Sequence, residues 1–245
     1  MSAASCLLKD TMQLSSFYDH KFSLGLRSIN SDEQLETPNN NFQLNGDIKG
    51  LKKGTVILSK SIKGVDVTLD SVNINENSNF TLSAYLNEPE VLKLKLTESG
   101  IHNDEVEFFG SKGITNFKTN LKRFSYESNF DGSKQQKKLD DFNKMLNRFK
   151  EENLDFIKTQ IEFSGNQEKL AIINKELINL KKREMYFIIN YSINNSGSEI
   201  SPYVTGKFLK DANQKYLDTI YNSLSKKIKD SKYGVLLKEM IEIKK

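Results

Sequence analysis

Asn73, Asn75, Asn77 and Asn79 alternate along the chain as the early ligands of a calcium-binding loop do. Such a loop also needs a glycine at its sharp turn and a bidentate Glu at its end, and both are missing. The stretch reads as a polar hairpin turn ahead of Phe80. His102-Asn-Asp104-Glu105 offers one imidazole and two carboxylates, but neighbours in a loop cannot all face one ion, and no second histidine is near. Asp140-Asp141 and Glu151-Glu152 fall on a helical pattern, where adjacent side chains point about 100° apart, so neither pair makes an acid/base dyad. Serine chemistry would have to recruit His20 or His102, and neither GxSxG nor GxxxxGK[ST] occurs. Cys6 is the only cysteine, which excludes an intramolecular disulfide, a CxxC redox pair and a thiolate zinc cluster. The residues therefore predict no catalytic set, no metal centre and no cofactor.

Two further features bear on address and partners. Ser2-Ala-Ala-Ser-Cys6 sets small residues before a cysteine, as a lipoprotein processing site does, without the basic and apolar regions of an export signal ahead of it. Cys6 is thus the candidate lipidation site. Of the 36 basic residues only Arg27, Arg123, Arg148 and Arg183 are Arg, the fork that grips phosphates and bases. With a net charge of +4, nucleic acid is not an expected partner. Lys181-Lys-Arg183 and Lys226-Lys-Ile-Lys229 read as solvated helix faces. No apolar run approaches the roughly 18 residues that span a bilayer.

The elements that must carry these residues follow from periodicity. Phe42 to Leu86 consists of short alternating runs parted by turn residues, and predicts four strands of one antiparallel sheet. Glu90–Thr97 alternates as well, Asp104–Phe109 follows after a polar loop, and Ile114–Tyr126 gives one or two further strands. Seven or eight such strands predict a β-sandwich. After Asn129-Phe-Asp-Gly132 the period changes. Ser133 with Gln136 has capping-box spacing, and Leu139, Phe142, Leu146 and Phe149 form a helical stripe that should be buried. Ser164-Gly-Asn166 breaks this helix, Asn166 caps the next, and Leu170, Ile173, Leu177 and Leu180 make its stripe, so two antiparallel helices result. Ser201-Pro202 has the form of a cap followed by a first-turn proline. Leu217, Ile220, Tyr221 and Leu224 follow Asn213, and Ser231 precedes a last helix ending near Ile243. The fold class is α+β, with an N-terminal antiparallel β-sandwich and a C-terminal helical region. Residues 1–41 form an extension or linker, 42–130 the sandwich, and 131–245 a helical domain packed on it. Within the extension, Lys21–Arg27 alternates as an added edge strand would, and Ser31–Asn41 reads as linker.

Six stretches, FQLNGDIKGLKKGTVILSK, TLDSVNINENSNFTL, EPEVLKLKL, EVEFFGSKGITNFKTNL, GSKQQKKLDDFNKM and KYLDTIYNSLSKKIKDSKYGVLLKEMI, together resemble a domain of unknown function of Bacteroidota cell-envelope proteins. The resemblance runs in order from Phe42 to Lys245. In that family the domain often precedes a thioredoxin-like thiol-disulfide oxidoreductase domain, and also occurs in shorter lipoproteins. It implies a cell-envelope location, in the periplasm or as an outer-membrane lipoprotein, and a membrane link only through a lipid anchor. The redox activity is not implied, because no CxxC is present, and Gly110-Ser-Lys-Gly113 keeps a turn where relatives have an acidic residue, proline and glycine.

The expected function is a non-catalytic envelope module that binds a protein or a surface component. The alternatives are an accessory to a thioredoxin-like reductase, or a hydrolase with a site assembled from distant residues. Tyr186, Phe187, Tyr191, Tyr203 and Phe208 are the aromatics available for an interaction surface.

Overall fold

The computed structural model describes residues 39–62, 64–98 and 102–244. Cys6, His20, the Lys21–Arg27 strand and residues 31–38 of the linker lie outside them.

In β1 (Phe42–Lys49) every second side chain is buried, the signature of a strand with one face on a core. β2 (Lys53–Ile62), β3 (Val65–Asn75), β4 (Asn79–Ala84), β5 (Glu90–Glu98), β6 (His102–Gly110), β7 (Gly113–Asn120) and the short β8 (Asn129–Asp131) follow, with the same alternation in β4, β5 and β7. They form two four-stranded sheets, ordered β4-β1-β7-β8 and β3-β2-β5-β6. Phe42, Leu44 and Phe117 from the first sheet and Leu58, Leu94 and Phe108 from the second close one core between them. The fold class is the expected α+β sandwich followed by helices.

The topology corrects the single four-stranded sheet expected over Phe42–Leu86. Within that stretch only β2 and β3 are consecutive strands that pair, closing a hairpin at Ile62↔Val65. β1 instead pairs antiparallel with β4 and parallel with β7. The Asn-rich segment before Phe80 is likewise no hairpin, because β3 and β4 belong to different sheets. Asn77 Oδ1 accepts from Asn79 N at 3.0 Å, and this local Asx turn re-aims the chain from one sheet to the other. His102 to Glu105 lie in β6 rather than in a loop. Phe130 is a core residue of β8, which leaves the sheet at Gly132 with φ +110; a Cβ there would sit 2.3 Å from the Ile114 carbonyl. Phe80 packs over Gly46, where a Cβ would fall 2.0 Å from its ring.

Ser133 Oγ accepts from Gln136 N and starts α1 (Lys134–Glu162). The capping box is only half made. Gln136 turns away from the cap, accepting from Phe109 N at 2.6 Å and donating to Asp140 at 2.7 Å. Leu139, Phe142 and Leu146 are buried, while Phe149 is half-buried against Phe187. Asn166 caps α2 (Gln167–Asn194). Tyr191 to the Lys138 carbonyl, Arg183 to Glu152 and Gln160 to Asn174 pair the two helices antiparallel along their length. Their distal parts leave Leu154, Ile161, Ile172 and Ile178 exposed.

α3 (Ile200–Phe208) starts one residue before the expected cap. Ser201 is inside it, fully buried, and donates to the Ser192 carbonyl of α2 at 2.7 Å, a tertiary bond that outbids the capping role. Asn213, Ser225 and Ser231 cap α4 (Gln214–Ser223), α5 (Lys226–Lys229) and α6 (Lys232–Ile243). These helices bury a second core, which includes Phe142, Ile188, Val204, Leu217, Ile220 and Leu237.

Candidate binding groove

Along β5 the residues Leu92, Leu94 and Leu96 face the sandwich core, so Val91, Lys93 and Lys95 face outward. On β6, Phe108 faces the sandwich core and Phe109 the helical core. Register sets Lys95 opposite Glu105 and Lys93 opposite Glu107; Lys95 pairs with Glu105 at 3.5 Å, while Lys93 reaches the diagonal Glu105 at 3.3 Å and Asp66 of β3 at 3.1 Å. These bonds, led by that to Asp66, raise the Lys93 pKa and keep its charge.

Helices α3 and α6 stand over this face on an aromatic base. Phe109, Tyr203 and Tyr233 meet edge to face with centroids 5.2 to 5.7 Å apart. Tyr233 Oη accepts from Val91 N at 2.7 Å, which fixes α6 on β5. Burial raises the Tyr233 pKa strongly and keeps the phenol neutral. Lys207 Nζ donates to Glu107 at 2.7 Å and to Tyr203 Oη at 2.9 Å. Burial works against the Lys207 charge, but those two bonds outweigh it and its pKa is raised. At the first turn of α6, Lys232 N donates to Glu88 at 2.9 Å, and its ammonium reaches Glu90 at 2.6 Å. Glu90 is only 5% exposed and also takes Lys60 at 3.0 Å, so two lysines compensate one buried carboxylate.

Between these elements lies a groove of about 850 Å3. Its apolar lining includes Ile62, Val91, Pro202, Tyr203, Val235 and Leu236. Ile62, Val235 and Leu236 are 46%, 44% and 50% exposed, and Val65, paired with Ile62, is 66% exposed. These side chains make an open apolar strip along the groove. Lys93, Lys207 and Lys232 in the groove each have a carboxylate partner. The arrangement suits recognition by apolar contact and hydrogen bonding. Among the described residues, no group of three or more His, Cys, Asp or Glu is placed to hold a metal ion.

The five aromatics chosen from sequence do not converge. Tyr203 lines the groove. Phe187, Tyr191 and Phe208 surround Phe142 in the helical core at 5.0 to 5.6 Å. Tyr191 Oη donates to the Lys138 carbonyl, and burial pushes its pKa up to about 12. Tyr186 is 47% exposed and packs edge-on against Tyr216. Asp140 is held by Gln136, Glu105 by lysines, and Glu152 by Arg183. Sequence reasoning missed Ile62, Val65, Val235 and Leu236. The signal for the last two was present: Val235-Leu-Leu237 spreads apolar residues over more of a helix than one core can cover.

Residues 42–139 match the family described as Domain of unknown function (DUF4369). No curated protein matches the chain. Among solved structures, transthyretin from Sparus aurata is similar at 11% identity and a TM-score of 0.29, over 38% of this chain and 97% of that one.

Proposed function

We propose that this chain is a non-catalytic cell-envelope module that docks another envelope protein in the groove between β5, β6, α3 and α6. The observation that carries the reading is the apolar strip of Ile62, Val235 and Leu236, with Val65 beside it, on an ion-paired floor. Exposed branched side chains on rigid elements lose little entropy when a partner covers them, and their burial removes apolar surface from water. Paired lysines and carboxylates around them penalise a strongly charged partner. The Bacteroidota envelope family that the sequence resembles supplies the address, and a thioredoxin-like reductase is the partner class it favours.

The test is photo-crosslinking in intact envelopes, with a benzophenone amino acid at position 236 or, for comparison, at position 178 on the distal helical hairpin. A single protein adduct from position 236, lost on adding Ile62→Asp while the melting temperature holds, is expected. Mass spectrometry of the adduct then decides whether the partner is a reductase. Adducts from position 178 alone, or turnover of a cell-wall or glycan substrate by the purified chain, would overturn the proposal.

A further inference from the structure

The outer face of the first sheet carries chemistry unlike that of the groove. Register sets Thr81, Asn45, Asn116 and Asp131 side by side in one row across its four strands. Asn79, Asp47, Lys118 and Asn129 form the next row. A cleft of about 380 Å3 lies over them. Each strand thus contributes one asparagine, a residue that strands disfavour because its amide competes with the backbone for hydrogen bonds. Compositional bias does not explain this. The same chain covers the outer face of its other sheet with the ion-paired Lys93, Lys95, Glu105 and Glu107. Departures from local preference that gather at one place point to function.

The groups are oriented and available. Asn45 Oδ1 accepts from Gln43 at 2.7 Å and from Thr81 at 3.3 Å, which leaves its amide N–H groups to donate. Ser78 holds one oxygen of Asp47 at 2.8 Å. The side chains of Asn116, Lys118 and Asn129 have no hydrogen bond to another described residue. Asn45 and Asp47 are thus held in place, while Asn116, Lys118 and Asn129 are left to bond a ligand.

Its chemistry selects the ligand. Two carboxylates against one ammonium leave almost no field for a polyanion. Ile114, at the margin of the rows, is the one large apolar side chain that register places on this face among the described residues, so a protein partner would find no cluster of anchors. Planar amides that donate and accept, beside carboxylates that accept twice, match a ligand bearing many neutral hydroxyls. We propose that this face binds a neutral glycan chain lying across strands β4, β1, β7 and β8. The site is separate from the groove and does not rest on the function proposed for it.

The experiment is affinity electrophoresis of the full chain through gels containing neutral α- or β-glucan, mannan, galactan or xylan, with an anionic polysaccharide for comparison. At least one neutral polymer is expected to retard the chain. Asn116→Ala with Asn129→Ala, both exposed and thus compatible with an unchanged melting temperature, is expected to weaken that retardation at least about tenfold, the loss of one or two hydrogen bonds to the ligand. Leu236→Asp is expected to leave it intact, which separates this site from the groove. Retardation by none of the neutral polymers, retardation that the double variant leaves unchanged, or retardation by the anionic polymer alone would each overturn the assignment.

Discussion

Gln136 Oε1 accepts the backbone N–H of Phe109 at 2.6 Å and so ties the first turn of α1 to β6. The bond sits where the two cores meet, because Phe108 points into the sandwich and Phe109 into the helical layer. A strand N–H that finds no strand partner at the end of β6 is satisfied by a helix side chain, and the helix is thereby placed.

Removing that acceptor should be costly. Gln136→Leu keeps the volume but strands a buried N–H, at about 1–3 kcal/mol. For a chain of this length the melting temperature should fall by about 2–12 °C in scanning calorimetry. An unchanged midpoint would show that water or another group replaces the bond.

The helical stripe is graded. Phe142 is fully buried among Phe187, Tyr191 and Phe208, so Phe142→Ala should cost about 3–5 kcal/mol in urea unfolding. Phe149 is half-buried, so Phe149→Ala should cost clearly less. Equal losses would contradict this packing.

Glycine is required at one turn and dispensable at another. Gly132 has φ +110 and no room for a Cβ beside the Ile114 carbonyl, so Gly132→Ala should destabilise by at least about 1 kcal/mol. At Gly165 a Cβ meets nothing within 4 Å, and Gly165→Ala should be near neutral. Thermal melts of the two variants side by side test the contrast.

Alkali should find two resistant tyrosines. Burial holds Tyr191 at about 12, above the ordinary 10.0, and raises Tyr233 strongly as well. The fold favours the neutral phenol of each, so the unfolded chain holds fewer protons than the native one above pH 10. Their contribution to stability is therefore complete below pH 10 and is lost as pH rises beyond it. Absorbance at 295 nm should show these two ionising last, together with unfolding, and Tyr233→Phe should flatten the alkaline decline in stability. Ionisation of all tyrosines in one step near pH 10 would refute the assignment.

Disulfide reduction is expected to be absent, since the sequence holds one cysteine and exchange needs a second sulfur to resolve the mixed disulfide. Insulin reduction by the pure chain, persisting through removal of contaminating reductases, would refute this.

What the sequence determined by itself is everything set by near neighbours. Alternation marked β1 to β7, because a strand's burial period is local. Ser133, Asn166, Asn213 and Ser231 marked helix starts, because a cap bonds only two or three residues ahead. The α+β order follows from these. Tertiary structure alone decided the partners. A period-2 strand looks the same whether its neighbour is the next strand or one seventy residues away, so the split into two sheets and the parallel β1–β7 pair could not be read locally. Ser201 looked like a cap until α2 offered its hydroxyl a carbonyl. Most of the chosen aromatics turned out to serve the helical core, because the hairpin and the later helices close around Phe142. The groove and the asparagine rows exist only where register and helix packing bring together residues far apart in sequence, and those non-local contacts are what burial of two cores selects.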